Sequence, residues 1–367
     1  MLSTPKLSWS ACIATLNRHD ILIVALTHLL RQSRLPEQVV VVDASDNWEE
    51  GRDRALKLFR DAGDPVPLSY VTSAVRSSAT QRNLGISMCT SDVVFLIDDD
   101  SFLHDDCAEE LMRVYDADLN SEIAGVGAFL SDENPTVQSS THRGQDLMLD
   151  RKDTGRNRQN MMQRVLSTKL GQWINREILY QNADMLFMRY DEPRDLQVPD
   201  TVAHLHVTAM PFMPGSGMSF RRSIAEKEQF DTALRFYAAF EDLDVGYRIG
   251  RHGTILRAYG AKLHHFEAAA GRIKRKKVIA FQLLNMAVFL KRHAKNPQAF
   301  LGAYRRMLWR RLVAEFLKDS LSKRWRFPQV IGVYTAMRHW REVWACNTNE
   351  IDAWYPEFQR RILEDIK

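Results

Sequence analysis

No run of about 20 consecutive apolar residues occurs in the chain, so no membrane-spanning helix is expected. The opening Met-Leu-Ser-Thr-Pro-Lys lacks the charged-then-apolar pattern of a secretion signal, and a cytoplasmic location is expected. Cysteine is scarce. Cys12, Cys89, Cys107 and Cys346 form no Cys-x-x-Cys pair and no metal-ligand spacing, which excludes a thiol metal site and fits structural thiols in a reducing compartment. Internal repeats and low-complexity segments are absent. Neither sign of charge dominates: Lys plus Arg number 50 and Asp plus Glu 46, so the placement of charge matters more than its sum. Hydrophobic residues make up 45% and charged residues 26%, which excludes disorder as the default, and 367 residues suffice for two domains of about 150 residues each.

What is present is an alternation of two periods. Residues 8–16, 38–42, 68–72 and 93–97 read as short strands, and 20–33, 48–61, 79–89 and 105–117 as helices, with Asp20 a candidate N-cap. Gln38-Val39-Val40-Val41-Val42 and Val93-Val94-Phe95-Leu96-Ile97 are apolar on both faces, as in a parallel sheet covered by helices on both sides. Ligands of such sheets bind beyond the carboxyl ends of the strands. Two acidic clusters stand there, Asp43 and Asp98-Asp99-Asp100. Strands are also expected at 124–130, within 206–220 and at 254–266, and a helix at 241–250. Residues 131–205 read as an insertion, basic from 141 to 158 and with an amphipathic helix near 161–181. The expected division is a catalytic domain over 1–270 and a helical, basic and aromatic region over 271–367.

Three adjacent carboxylates repel one another unless a cation neutralises them. Hard ions such as Mg2+ or Mn2+ take carboxylate oxygens and leave positions open for phosphate. An acidic helix cap is the ordinary alternative for Asp98-Asp99-Asp100, but three in a row exceed what a cap requires.

The ordered set Thr15-Leu16-Asn17-Arg18, Gln38 to Asp43, Gln81-Arg82-Asn83-Leu84-Gly85-Ile86 and Phe95 to Asp100 resembles the family 2 glycosyltransferases of the GT-A fold over about residues 8–266. That resemblance implies an α/β, Rossmann-like, mostly parallel sheet flanked by helices, with a helical C-terminal region. It places Thr15 and Asn17 in the first nucleotide-binding loop, Asp43 on the base or ribose, and Arg82, Asn83, Asp98 and Asp99 on the nucleotide side. Asp98 and Asp100 match the outer residues of the Asp-x-Asp metal motif, Asp100 being the more direct ligand. Asp43-Ala44-Ser45-Asp46 departs from the Asp-Asp-Gly-Ser of many relatives, so the base that is read stays open. A turn role for Asp43 and a solvated role for Arg82 are the ordinary alternatives.

Phe240-Glu241-Asp242-Leu243-Asp244 resembles the family's Glu-Asp at a helix start, which implies Asp242 as catalytic base and Glu241 as an acceptor-binding or orienting group. An acceptor hydroxyl must lose its proton as it attacks, and a carboxylate in reach can take it. Asp244 is expected to face solvent or to pair with Arg248, four residues on. A late His completes the metal shell in similar enzymes; of His264 and His265, strand alternation puts only one on the site face, and His265 is favoured. Gly215-Ser216-Gly217 resembles the glycine-containing segment near the donor sugar. Trp173 is a candidate to stack on an acceptor sugar, with a core position as its ordinary reading.

Beyond residue 271, Arg and Lys interleave with Trp and Leu, as at Arg305-Arg306-Met307-Leu308-Trp309-Arg310-Arg311. This suits an interfacial helix on anionic lipid at the inner face of the plasma membrane. Packing on the catalytic domain and a homodimer contact are the competing readings, and no nucleic-acid-binding signature occurs. The expected function is inverting transfer from a nucleotide sugar to a glycan or lipid-linked acceptor in surface polysaccharide synthesis. The rivals are a sugar nucleotidyltransferase, which residues 14–20 disfavour by lacking glycine, and a non-catalytic sugar-binding or membrane scaffold protein.

Overall fold

The computed structural model describes residues 6–138, 168–173, 196–213, 215–235, 240–266, 275–321 and 324–366. The chain divides into two compact units. One comprises Met1–Gln138, Asp195–Ile273 and Asp352–Arg361; the other comprises Ser139–Arg194, Lys274–Ile351 and Ile362–Lys367. The basic run at 141–158 lies outside the described residues, as does the expected helix at 161–181 apart from a short helix at Lys169–Trp173.

In the first unit the chain alternates as the sequence periods require: β1 (Trp9–Thr15), α1 (His19–Leu29), β2 (Gln38–Asp43), α2 (Trp48–Asp61), β3 (Leu68–Thr72), α3 (Ser78–Met88), β4 (Val93–Asp98), a short β5 (Ser101–Leu103), α4 (Cys107–Ala117) and β6 (Ile123–Leu130). Then come β7 (Val207–Ala209), β8 (Gly217–Arg221), α5 (Arg222–Lys227), α6 (Glu241–Ile249) and β9 (Thr254–His265). Asp20 lies in the first turn of α1 and does not cap it; Arg18 holds the cap position. The nine strands form one sheet in the order β3-β2-β1-β4-β8-β6-β9-β5, with β7 beside β9. β3, β2, β1 and β4 run parallel. β8 then reverses direction against both β4 and β6, while β6 and β9 pair in parallel.

The valine run of β2 shows why the parallel half is apolar throughout. Val39 and Val41 join one core with Ile13, Phe95, Leu22 and Phe59. Val40 and Val42 join the core on the opposite face with Cys12, Leu96, Ile86 and Phe220. Burial on both faces is worth roughly 1.5–3 kcal/mol for each such side chain and leaves little room for a polar substitute.

In the second unit, α7 (Arg275–His293), α8 (Pro297–Leu321) and α9 (Pro328–Ala345) pack together. α7 is buried almost all round from Ile279 to Leu290. A last helix, α10 (Ile351–Asp365), belongs to the first unit over Asp352–Arg361. Among the described residues, no helix is long and apolar enough to cross a membrane.

Candidate active site

Strand register brings the acidic clusters together. In the pairing of β1 with β2, Thr15 stands opposite Asp43, and in its pairing with β4, Ala14 stands opposite Asp98. Three parallel strands therefore end in one row. β8 starts at the same mouth from the other direction, with Gly217 opposite Ile97. A Cβ on Gly217 would stand 2.3 Å from Leu263 Cδ2, so a side chain there would have to displace that buried leucine. β9 ends at the mouth as well, with His265 opposite Ser101.

Asp98, Asp100 and His265 each offer a ligand atom, and these atoms lie within 4.8 Å of one another. His265 Nε2 is 3.1 Å from Asp100 Oδ1 and 3.9 Å from Asp98 Oδ2. Two carboxylates and an imidazole suit a hard or borderline divalent ion. Asp99 points elsewhere: its Oδ2 accepts from Thr15 Oγ1 at 2.7 Å and its Oδ1 from Arg18 Nη1 at 3.0 Å. Arg18 Nη1 also reaches Asp100 Oδ2 at 3.3 Å. Burial pushes the Asp99 carboxyl up to about 7, and Arg18 pulls against that rise. His264 is corrected by its place on β9. Its Nδ1 lies 3.1 Å from the Ser131 carbonyl oxygen and its ring packs beside Phe102, so it is outside the metal group.

Beside this group lies a second set joined by Arg82, which is 7% exposed. Its Nη2 donates to Asp98 Oδ1 at 2.7 Å and to the Gly215 carbonyl at 3.3 Å, and its Nη1 donates to Glu241 Oε1 at 2.7 Å. Ser78 Oγ lies 2.8 Å from each Glu241 oxygen. The Gly215 N–H donates to Asp242 Oδ2 at 3.1 Å, while Asp242 Oδ1 accepts from the Leu243 N–H at 2.9 Å. Asp98 and Asp242 thus meet across one guanidinium and one glycine. Burial pushes Glu241 up to about 7 despite Arg82 and Ser78, and burial also raises Asp242.

α6 enters the site through Phe240 at φ 78°, a left-handed conformation unusual for a bulky residue. Such strain costs of order 1–3 kcal/mol and persists where the surroundings over-determine it, here one residue before Glu241 and two before Asp242. Asn17, in the first loop, is also left-handed at φ 55°, and its N–H donates to Ser45 Oγ at 2.7 Å.

Other residues read from the sequence have structural duties. Asp43 is fully buried and accepts from the Ser45 N–H, the Ser45 and Tyr70 hydroxyls and His19 Nε2. Direct contact with a nucleotide would require displacing one of these four. The Asn83 carboxamide does not line the mouth: its Nδ2 donates to the Phe230 carbonyl at 2.9 Å and its Oδ1 accepts the Phe230 N–H at 2.7 Å. The Ser216 carbonyl accepts from Ser101 Oγ at 2.9 Å. Asp244 pairs with Arg248 at 2.7 Å and is buried, so the solvent-facing reading falls away. Trp173 stands in the second unit, 49% exposed, and not in a core.

Arg18 and Ser78 were not among the site residues read from the sequence, although each touches a carboxylate that was. The only signal for Arg18 is a cation directly after Asn17, and the only one for Ser78 its position in the first turn of α3.

Arg82 carries the largest stability consequence. Replacing it by Ala leaves Glu241 buried without its cation, and breaking a buried ion pair from one side costs about 3–5 kcal/mol. Urea denaturation of Arg82→Ala should show a loss of that size, with a smaller one for Arg82→Lys, which keeps the charge but not the fork. A shift below about 1 kcal/mol would mean that the two carboxylates do not depend on Arg82.

No curated protein sequence matches the chain. Among solved structures, it is similar to the mannosyltransferase PcManGT from Pyrobaculum calidifontis in complex with GDP-Man and Mn2+, at 12% sequence identity and a TM-score of 0.49, with 98% of this chain and 86% of that one covered. Residues 10–183, which carry β1 to β6 and the acidic triplet, match the family model described as glycosyl transferase family 2. The chain is a glycosyltransferase with a family 2 domain over residues 10–183.

Proposed function

We propose that this enzyme transfers a sugar, with inversion, from a nucleoside-diphosphate sugar to a hydroxyl of a glycan or lipid-linked acceptor, as in surface polysaccharide synthesis at the cytoplasmic face of a membrane. One observation carries the reading: a triad fit for a metal and a partly buried carboxylate meet through Arg82 and Gly215 at one strand-end mouth. Asp98, Asp100 and His265 would hold Mg2+ or Mn2+, whose charge would offset that of the departing diphosphate.

Asp242 takes the acceptor's hydroxyl proton as that oxygen bonds the anomeric carbon, and the bond to the diphosphate oxygen breaks. Its Oδ2 is fixed by the Gly215 N–H and its Oδ1 by the Leu243 N–H, so the carboxylate is aimed before the acceptor arrives. Glu241 is an orienting group, since its oxygens are taken by Arg82 and Ser78. A single base with no second carboxylate assigned as nucleophile suits one in-line displacement. The scaffold alternative predicts a missing carboxylate in one cluster, and all are present.

The test is a thermal-shift panel of nucleotide sugars with and without Mn2+. A ligand at 100 times its Kd adds about 2.7 kcal/mol of stability, which raises Tm by several degrees. One donor should produce that shift with Mn2+ and lose it with a chelator. No shift from any donor in the presence of Mn2+ would remove the reading.

A further inference from the structure

α8 has two unlike faces. Tyr304, Leu308 and Glu315 are buried on one side, Tyr304 donating to the Leu283 carbonyl of α7 at 2.8 Å. On the opposite side Trp309 is 61% exposed, and Val313, Phe316 and Leu317 are exposed with it. The spacings 309, 313, 316 and 317 fall on one helical stripe, so this is a continuous face and not a scatter of single residues.

The face continues onto α9. Asp319 Oδ2 accepts the Gln329 N–H at 2.9 Å, which joins the end of α8 to the start of α9. Nearer the other ends, Tyr304 packs on Trp344 at 5.6 Å and on Trp340 at 6.0 Å, so the two helices run antiparallel. Trp325 in their connection is 70% exposed, and Tyr334 on α9 is 64% exposed beside Ile331.

Arginines stand beyond this apolar patch on both helices. Arg305 and Arg306 are exposed on α8, Arg338 and Arg341 on α9, each pair about 15 Å or more from the connection at 1.5 Å per residue. Acidic charge is withheld. Across α8 and α9 the acidic residues are Glu315 and Asp319, both 0% exposed, and Glu342, which pairs with His339 at 2.7 Å. Glu315 is held by Arg311 at 2.7 Å and Lys318 at 3.4 Å, and Asp319 by the α9 backbone.

We infer that this face of α8 and α9 docks on an anionic lipid surface, with Trp309, Phe316, Leu317 and Trp325 in the interface and the arginines at headgroup level. Aromatic rings with polar edges favour that depth, and each basic side chain near an anionic surface strengthens binding. A protein partner or a second copy would need matching acidic groups, and the one partly exposed carboxylate on these two helices, Glu342, is already held by His339 at 2.7 Å.

The test uses the full chain and co-sedimentation with vesicles of phosphatidylcholine alone or with about a third phosphatidylglycerol. Binding should favour the anionic vesicles by about 10-fold or more and weaken in high salt. The pair Phe316→Ser with Leu317→Ser, and separately Arg305→Gln with Arg306→Gln, should each lower that partition by about 10-fold or more. Both variants should keep the Mn2+-dependent donor shift, so the outcome is read apart from the catalytic proposal. Equal partition to the two vesicles, or none, would overturn the inference. So would a dimer in light scattering that the Ser variant dissociates, because the face would then belong to a second copy.

Discussion

Asp242→Asn should lower the rate of sugar transfer by about 100- to 10,000-fold while the donor Kd changes by only a few-fold. The substitution keeps the size of the side chain. An amide oxygen can still accept from one of the two backbone N–H groups that Asp242 now holds, those of Gly215 and Leu243. The lost hydrogen bond costs about 1 kcal/mol, so the variant should fold. What disappears is the proton acceptor. The pH profile separates this role from a positioning one. Burial raises the Asp242 pKa, and a base must be ionised to act, so kcat/KM should fall as pH drops through a limb above the ordinary aspartate value of about 3.9. Glu241, pushed up to about 7 by its own burial, is the adjacent residue and feels the Asp242 charge, so the limb belongs to the pair. In Asp242→Asn the residual rate should lose the part of that limb that Asp242 supplies and keep only what Glu241 contributes. Turnover within about 10-fold of the parent would remove the base assignment.

The parts legible in the sequence are those in which local pattern and tertiary role coincide. The Val39–Val42 run reads as a two-faced strand because each valine is needed in one of the two cores. The triplet Asp98-Asp99-Asp100 reads as a strand-end cluster because β4 stops there. The direction of β8 was not legible, since alternation looks the same in either direction and only pairing with β4 and β6 reverses it. β5 is three residues long and carries no period. The partners within the site were hidden for another reason. Arg82 meets Glu241 across 159 residues and Asn83 meets Phe230 across 147, and helix periodicity does not encode what a distant loop presents. Arg82 and Asn83 are neighbours in sequence, but helical geometry turns their side chains about 100° apart, one to the carboxylates and one to a backbone. Register alone separates His264 from His265 in the same way, with a period of two.

Asp100→Asn should abolish the stabilisation that Mn2+ confers, weakening its calorimetric affinity by about 100-fold or more, while the metal-free protein keeps or raises its Tm. The first effect follows from chemistry. Loss even of a group that only orients a metal ligand costs 10–100-fold in affinity, and here one of three donors loses its charge. The second effect runs against the usual cost of a site mutation. Asp98, Asp99 and Asp100 are adjacent, Asp99 and Asp100 are buried, and Arg18 is the cation shared by those two. Burial already pushes Asp99 up to about 7, and Asp100 adds to that rise. Removing a charge from the set relieves repulsion, and the amide can still hydrogen-bond His265 or Arg18. A role in folding alone would instead lower Tm and leave Mn2+ without effect in either protein. His265→Gln should weaken Mn2+ in the same direction, whereas His264→Gln should not, because His264 Nδ1 is directed at the Ser131 carbonyl. Equal Mn2+ affinity in Asp100→Asn and the parent would leave these three side chains a hydrogen-bonded cluster and nothing more.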